Sequence, residues 1–481
     1  MKNILLVDDD RDVSRSLKSL FDSGKFHLTH VTTAEGAQVY LNERSDTDLV
    51  MLDVNLPEMS GLELLKKIKE TSSDIPVIMI SGQVSTENAI QAMREGAFEY
   101  LTKPFEIDRL LGVVNQACGY ASASKSQSDV RPQENVSSLT LQSGSEEIIG
   151  KSPEIVEIAK LVGNLAKIDT PTLIFGETGT GKELVARAIH RNSSRRSGPF
   201  LTVNCASQAD TLLESEIFGH EKGAFTGAYY KRVGKFEQAH SGTLFFDEVA
   251  DLSLSTQAKL LRAIEESSYE RVGGTEKIRT NVRVIAATSK SLVQAIKEGS
   301  FRVDLFYRLK VVSVFMPALK DRKGDLPILI DYFINRFAAQ MNRSVPKMSA
   351  EAMDTLSKYS WPGNIRELEN NIQSAMVMLK GDEILPEDLP ACAEAENALE
   401  LDLESLQESH VDLFNKIIEP ILPKLAANNE GKIYNFLNSA MERALISSAL
   451  KLYGSNQVKT SEALGISRNT LRDRIARYSL Y

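Results

Sequence analysis

Cysteine is scarce in this chain. Its 481 residues hold only Cys118, Cys205 and Cys392, an odd number scattered along the sequence. That excludes a disulfide framework and a cysteine metal cluster, and fits a reducing compartment. Long apolar runs are missing as well, and none is long enough to span a bilayer. The N-terminus, Met1 to Asp8, reaches an acid too soon for a signal peptide. These absences point to a cytoplasmic protein with no membrane partner. Positive charge is in deficit: 56 Lys and Arg face 65 Asp and Glu, a formal net charge of -9. The whole molecule is therefore not a nonspecific polyanion binder. One end departs from this balance. Beyond Lys451 stand Lys459, Arg468, Arg472, Arg474 and Arg477 against only Glu462 and Asp473. A basic end on an acidic protein points to a local nucleic-acid contact.

The length allows about three domains. The hydrophobic share of 42% and charged share of 25% are those of ordinary globular chains. The rest of the sequence is organised around Gly176-Glu177-Thr178-Gly179-Thr180-Gly181-Lys182-Glu183. An apolar run, Thr172–Phe175, precedes it, and a helical pattern from Leu184 follows. Strand, glycine-rich turn and helix in that order match the Walker A phosphate loop. Backbone N–H groups would curl around the phosphates of ATP, the helix N-terminus would add its dipole, and Lys182 would reach the terminal phosphates. Glu183 stands where Ser or Thr usually binds Mg²⁺. A second element, Gly242 to Glu248, is a hydrophobic strand ending in Asp247-Glu248, the Walker B pattern. Two acids there are costly without a cation or a hydrogen-bond network. Asp247 would hold Mg²⁺ and Glu248 would act as general base toward water.

Residues 1 to 120 alternate short apolar runs with amphipathic helical stretches. Five such units imply a doubly wound parallel sheet. Its ligands would sit at the strand ends, where the sequence places Asp8 and Asp9, then Asp53, Ser81 and Lys103. Converging carboxylates call for Mg²⁺, and Asp53 can act as nucleophile toward a phosphoryl donor. Lys103 would neutralise the new charge and Ser81 would hydrogen-bond the phosphoryl oxygens. This segment resembles the receiver domain of two-component response regulators, with Asp8, Asp9, Asp53, Ser81, Lys103 and Pro104 in the family's order. The resemblance implies phosphorylation at Asp53 by a histidine kinase and an aromatic switch at Tyr100. Residue type alone leaves Tyr100 open as an ordinary strand aromatic. Residues 121–146 are rich in Ser, Gln and Asn and read as a linker.

Between the Walker elements, glycines flank an aromatic, so Glu216 to Ala228 reads as a mobile loop tip with Phe225 exposed. Gly223-Ala224-Phe225-Thr226-Gly227-Ala228 spells GAFTGA. On that hexapeptide the chain resembles the NtrC family, AAA+ activators of sigma-54 RNA polymerase. By that resemblance this loop touches sigma-54, and Asn204 pairs with Glu248. Arg302 and Arg308 are arginine fingers acting on a neighbour's ATP. Arg366 is sensor II, and Thr288 with Ser289 stands at sensor I, where Asn is commoner than Ser289. Glu183 is normal for the family. The resemblance further implies a dimer that assembles into a hexameric or heptameric ring.

The AAA+ segment spans 147–390. Residues 391–437, broken by Pro420 and Pro423, read as a helical connector. The final segment, 438–481, reads as three helices: 438–453, closed by Gly454, then 457–463, then one N-capped by Ser467. On the third helix Leu471, Ile475 and Tyr478 share a buried face. Arg468, Asn469, Thr470 and Arg472 lie outward, where a recognition helix reads base edges. The residues alone leave a solvated basic helix open. Leu464 to Leu471 resembles the Fis-type helix-turn-helix that ends NtrC-family proteins.

The expected architecture is α/β: a flavodoxin-like doubly wound receiver, an AAA+ P-loop domain with a helical lid, and an all-α helix-turn-helix. The expected function is a phosphorylation-controlled ATPase that remodels sigma-54 RNA polymerase from double-stranded sites upstream of promoters. Its rivals are a DNA-binding repressor with a vestigial ATPase and an AAA+ enzyme that remodels some other protein.

Overall fold

The computed structural model describes residues 2–21, 25–44, 46–124, 147–206, 210–379, 381–389, 422, 433–454 and 456–478. Most of the linker and the bulk of the 391–437 connector lie outside these residues. The chain divides into two compact units, Met1–Ala393 and Glu394–Tyr481.

The first unit begins with five parallel strands: β1 (Lys2–Val7), β2 (Phe26–Val31), β3 (Leu49–Asp53), β4 (Val77–Ser81) and β5 (Glu99–Thr102). Helices α1 (Arg11–Phe21), α2 (Ala34–Glu43), α3 (Gly61–Thr71), α4 (Thr86–Arg94) and α5 (Ile107–Ser124) alternate with them. The sheet order is β2-β1-β3-β4-β5. Successive strand residues point to opposite faces. Leu5, Val7, Val50 and Leu52 therefore pack on one side with Leu65, Ile68 and Ala89. Ile4, Leu6, Met51 and Ile78 pack on the other with Leu17, Phe21, Leu110 and Val114. Burial on both faces is why β3 and β4 read as unbroken apolar runs. Register aligns Asp53 with Ile80 and Ser81 with Thr102, so the polar strand ends meet at one edge. α5 runs to Ser124, continuing into the first residues of the linker, where Ala121 and Ala123 favour helix.

A second parallel sheet follows α6 (Pro153–Leu165) and includes β6 (Thr172–Phe175) and, beyond α7 (Lys182–Asn192), β7 (Phe200–Asn204). Its order is Val312–Phe315, β6, Arg283–Thr288, Thr243–Asp247, β7. The phosphate loop leaves β6 between two neighbours, and Asp247 pairs in register with Asn204 of β7. Helices Leu326–Gln340, Ala350–Lys358 and Asn364–Met378 form a lid around Ile330, Phe333, Trp361, Leu368 and Ile372.

In the second unit, helices Ile433–Leu452, Gln457–Ala463 and Arg468–Tyr478 pack around Ile446, Leu471 and Ile475. The long helix begins at Ile433, five residues before the expected start. Residues 433–437, Ile-Tyr-Asn-Phe-Leu, hold no glycine or proline to stop it. Among the described residues no helix is long and apolar enough to cross a membrane.

Candidate functional site

The phosphate loop closes over a cavity of about 760 Å³. Gly179 and Gly181 take the left-handed φ of +78° and +98°. A Cβ on Gly179 would stand 2.2 Å from the Gly363 carbonyl oxygen, so the lid requires glycine there. Lys182 is buried, and its Nζ donates to Gly176 O at 3.0 Å, Glu177 O at 3.3 Å and Glu248 Oε1 at 3.2 Å. Thr178 and Thr180 also line the cavity. Its lining includes the apolar side chains of Ile148, Ile149, Met316 and Phe333 and the polar ones of Lys182, Asp247, Arg322 and Arg366. Arg322 is 2% exposed, donates to Thr180 O at 3.2 Å and leaves its Nε without a partner. A buried cation with a spare donor in a phosphate-loop cavity fits a polyanion such as a nucleotide triphosphate.

Glu248 occupies the left-handed region at φ 54°, rare for a residue with a side chain and typical of functional strain. Its Oε2 accepts from Ser289 N at 2.7 Å and Ser289 Oγ at 2.8 Å. Burial works to raise the Glu248 carboxyl, but these bonds and the Lys182 charge outweigh it and hold it below the usual range. Asp247 goes the other way, pushed up by burial and by the Glu248 charge. Asn204 lines the same cavity, and its Oδ1 accepts from Ala206 N at 3.0 Å. Glu183 accepts from Arg187 Nη2 at 2.7 Å.

Sequence reasoning missed two partners here. Ser289, expected only to alter sensing, holds the Glu248 carboxylate. Asn364 is fully buried at φ 55° and donates from Nδ2 to Glu177 Oε2 and to Thr178 O, each at 3.1 Å. It ties the lid to the phosphate loop. The one signal was the Pro362-Gly363-Asn364 turn before a helix. Arg366 follows on that helix, with its backbone N 3.4 Å from Gly179 O.

Arg302 and Arg308 lie elsewhere, at the N-cap and last turn of Val303–Leu309. Both are exposed and neither lines the cavity. Arg302 forms two hydrogen bonds to Asp304, at 3.1 and 2.7 Å.

The GAFTGA loop closes on itself, with Gly223 N donating to Ala228 O at 2.8 Å. The expectation of an exposed Phe225 is corrected: Phe225 is half-buried, edge-on against His220 with centroids 5.0 Å apart. Ala228 is buried and Thr226 is exposed. The exposed aromatics are the next two residues, Tyr229 at 75% and Tyr230 at 83%.

At the receiver's strand ends, ligand oxygens of Asp8, Asp9 and Asp53 all lie within 4.8 Å of one another. That grouping fits one hard cation with oxygen ligands. Lys103 Nζ donates to Asp8 Oδ2 at 2.7 Å and to Asp53 Oδ2. Burial opposes the Lys103 charge, but the bonds to Asp53 and Asp8 win and raise its pKa. Asp8 is pushed up by burial. Ser81 is fully buried, and its hydroxyl donates to Gln83 O at 2.6 Å, folded onto its own loop. Tyr100 is 1% exposed, and burial pushes its phenol up.

In the C-terminal unit Leu471 and Ile475 are buried, Tyr478 is half-buried, and Arg468, Asn469, Thr470 and Arg472 are exposed together. Ser467 Oγ accepts from Thr470 N at 3.1 Å, the expected N-cap.

Four family models match in order: the Response regulator receiver domain over residues 4–115, the Sigma-54 interaction domain over 148–315, the AAA+ ATPase lid domain over 320–404 and the Bacterial regulatory protein, Fis family, over 439–478. The chain is 38% identical over 484 residues to the Regulatory protein AtoC of Escherichia coli (strain K12), covering 100% of this chain and 98% of that one. It is 38% identical over 492 residues to the DNA-binding transcriptional regulator NtrC of Azospirillum brasilense, covering 98% and 96%. It is also similar to a crystal structure of NtrX from Brucella abortus in complex with ADP, at 32% identity and a TM-score of 0.50, covering 100% of both chains. A second NtrX structure, in complex with ATP, matches at the same identity and TM-score over 99% of both.

Proposed function

The chain belongs to the NtrC-like, sigma-54-dependent response regulators, with receiver, ATPase and Fis-type DNA-binding domains, and from that premise we propose how its residues divide the work. Asp53 is the phosphoryl acceptor, taking the group from a histidine kinase. Asp8, Asp9 and Asp53 would hold Mg²⁺ in the receiver, and Asp247 would hold it beside ATP; there the ion supplies charge neutralisation at phosphoryl oxygens. Lys182 and Arg366 bind the phosphates. Glu248 takes a proton from the attacking water. Arg302 and Arg308 complete the site of the next subunit in a ring. Hydrolysis moves the Thr226 loop against sigma-54, and the polymerase at the promoter is remodelled in the cytoplasm.

The observation that carries this reading is Glu248, strained in the left-handed region and held ionised between Ser289 and Lys182 beside a phosphate-loop cavity. A vestigial ATPase has no reason to keep that arrangement, so the repressor rival is not favoured. A match to the Sigma-54 interaction domain over residues 148–315 disfavours a client other than sigma-54. The test is a reconstituted assay with sigma-54 polymerase on a promoter carrying the protein's site: ATP should open the promoter, and a non-hydrolysable analogue should not. Opening without hydrolysis would refute the reading.

Two further outcomes are expected. Asp53→Ala should abolish labelling by acetyl phosphate in Mg²⁺, measured by intact mass; labelling at the wild-type level would move the acceptor elsewhere. Arg472→Ala should weaken the specific DNA site by about 1–3 kcal/mol more than random DNA, as loss of a base-edge contact does. Arg477→Ala should weaken both about equally and lower the salt slope by about 1, as loss of a phosphate contact does. Footprinting with a salt titration reads both. Equal losses for Arg472→Ala would mean that the recognition register is wrong.

A further inference from the structure

Within the first unit the receiver packs on the ATPase domain, helix against helix. α4 and α6 meet so closely that a Cβ on Gly163 would stand 2.4 Å from the backbone oxygen of Ile90. No side-chain movement relieves a clash with backbone, so this packing requires glycine. Around it, Lys160 is 4% exposed and pairs with Glu99 of β5 and with Glu157 of its own helix, the latter at 3.0 Å. Arg94 donates to Asn192 Oδ1 at the end of the phosphate-loop helix, at 3.3 Å.

One contact in this interface reaches the nucleotide cavity. Thr86, the first residue of α4, donates its hydroxyl to Ile148 O at 2.6 Å. Ile148, with its neighbours Glu147 and Ile149, lines the cavity. The other end of this short segment is clamped: Asp325 Oδ1 accepts from Lys151 N at 2.6 Å and Ser152 N at 2.8 Å. Asp325 lies three residues after Arg322, which also lines the cavity. The wall Glu147–Ile149 is therefore held at one end by the ATPase domain and at the other by the receiver.

We propose that Thr86, a receiver residue, is a positioning residue for the ATPase: its hydroxyl holds the Ile148 wall in place to receive the nucleotide. Thr86 touches neither phosphate nor metal and acts only through that wall. The inference rests on the ATPase reading above and adds a part to it. Thr86 lies five positions after Ser81, whose side chain closes the same β4–α4 turn onto Gln83. A change at the receiver's strand ends thus has a short covalent path to the nucleotide wall. Linkage makes the effect mutual: a nucleotide that needs the wall in place favours the docked receiver by the same factor.

The experiment titrates a fluorescent ADP analogue into the full chain and measures turnover at saturating ATP. Thr86→Val keeps the shape and removes the hydroxyl. It should weaken nucleotide affinity roughly three- to tenfold, the equivalent of one hydrogen bond, with saturated turnover unchanged. Thr86→Ser should restore wild-type affinity. Gly163→Leu, which wedges the receiver off α6, should weaken affinity to a similar degree, and adding Thr86→Val to it should do nothing more. An unchanged affinity in Thr86→Val, a fall in saturated turnover that matches the fall in affinity, or full additivity of the two substitutions would overturn the proposal. Failure of the wild-type chain to bind the ADP analogue would instead sink the ATPase reading itself.

Discussion

Glu248→Gln is expected to lower ATP turnover by about 10²- to 10⁴-fold, the range over which a positioned general base acts, and to leave nucleotide binding within a few-fold of wild type. The buried strand Thr243–Asp247 delivers its last residue, Asp247, and the following Glu248 to the cavity. Burial alone would push both carboxyls up, and a protonated glutamate is no base. The two Ser289 bonds and the Lys182 contact reverse this for Glu248, while Asp247 stays raised. The environments drive the two pKa values apart, the pattern expected where one carboxylate accepts a proton and its neighbour does not. Glutamine keeps the shape and still accepts from Ser289, but it takes no proton. Removal of its charge also frees Lys182 from one of its three oxygen partners, so affinity should hold or rise. Ser289→Ala should show the smaller version of the same defect, because one of two bonds to Oε2 remains. The check is steady-state phosphate release beside a fluorescent ADP titration. Turnover within threefold of wild type in Glu248→Gln would remove Glu248 from the chemistry.

The parts of this site that were legible in the sequence share a physical cause. A strand buried on both faces must be apolar, so the polar residues at its end stand out, as Asp8, Asp53, Ser81, Lys103 and Asp247 do. The phosphate loop was legible because its glycines are a local requirement of backbone geometry. What escaped lies in contacts between distant positions. Nothing near Asn364 says that its amide will meet Glu177, 187 residues away. Nothing near Ser289 names Glu248 as its partner. Lys160 reads as a surface lysine on an amphipathic helix until the receiver brings Glu99 to it. Phe225 read as exposed because flanking glycines mark a loop, but glycine content says nothing about an aromatic neighbour at His220. Nothing near Ser81 names the Gln83 carbonyl as the partner its hydroxyl takes in this structure.

Arg308→Ala is expected to cost about 10³- to 10⁵-fold in ATP turnover, the effect of losing an arginine finger, and still to bind ATP. Arg308 is exposed on a helix whose buried face, Leu305, Phe306 and Leu309, fixes its direction. It does not line the cavity of its own chain, where Lys182, Arg322 and Arg366 already supply cations. An exposed guanidinium contributes little by itself, but against the γ-phosphate of an adjoining subunit it would meet developing charge in a water-poor site. Arg302, already engaged with Asp304, should show a smaller loss on replacement by Ala because part of its role is to hold that acid. The trans geometry is tested by mixing. Lys182→Ala loses the phosphate contact but keeps its Arg308; Arg308→Ala keeps its phosphate loop. In a head-to-tail ring of equal parts, each interface has one chance in two of presenting an intact loop and one in two of presenting an intact finger. About a quarter of the interfaces then carry both, as independent heterologous contacts require. Turnover should rise from near zero in either variant alone toward that fraction of wild type. Light scattering confirms that mixed rings form, and if they form without regaining any turnover, Arg308 does not act across the interface.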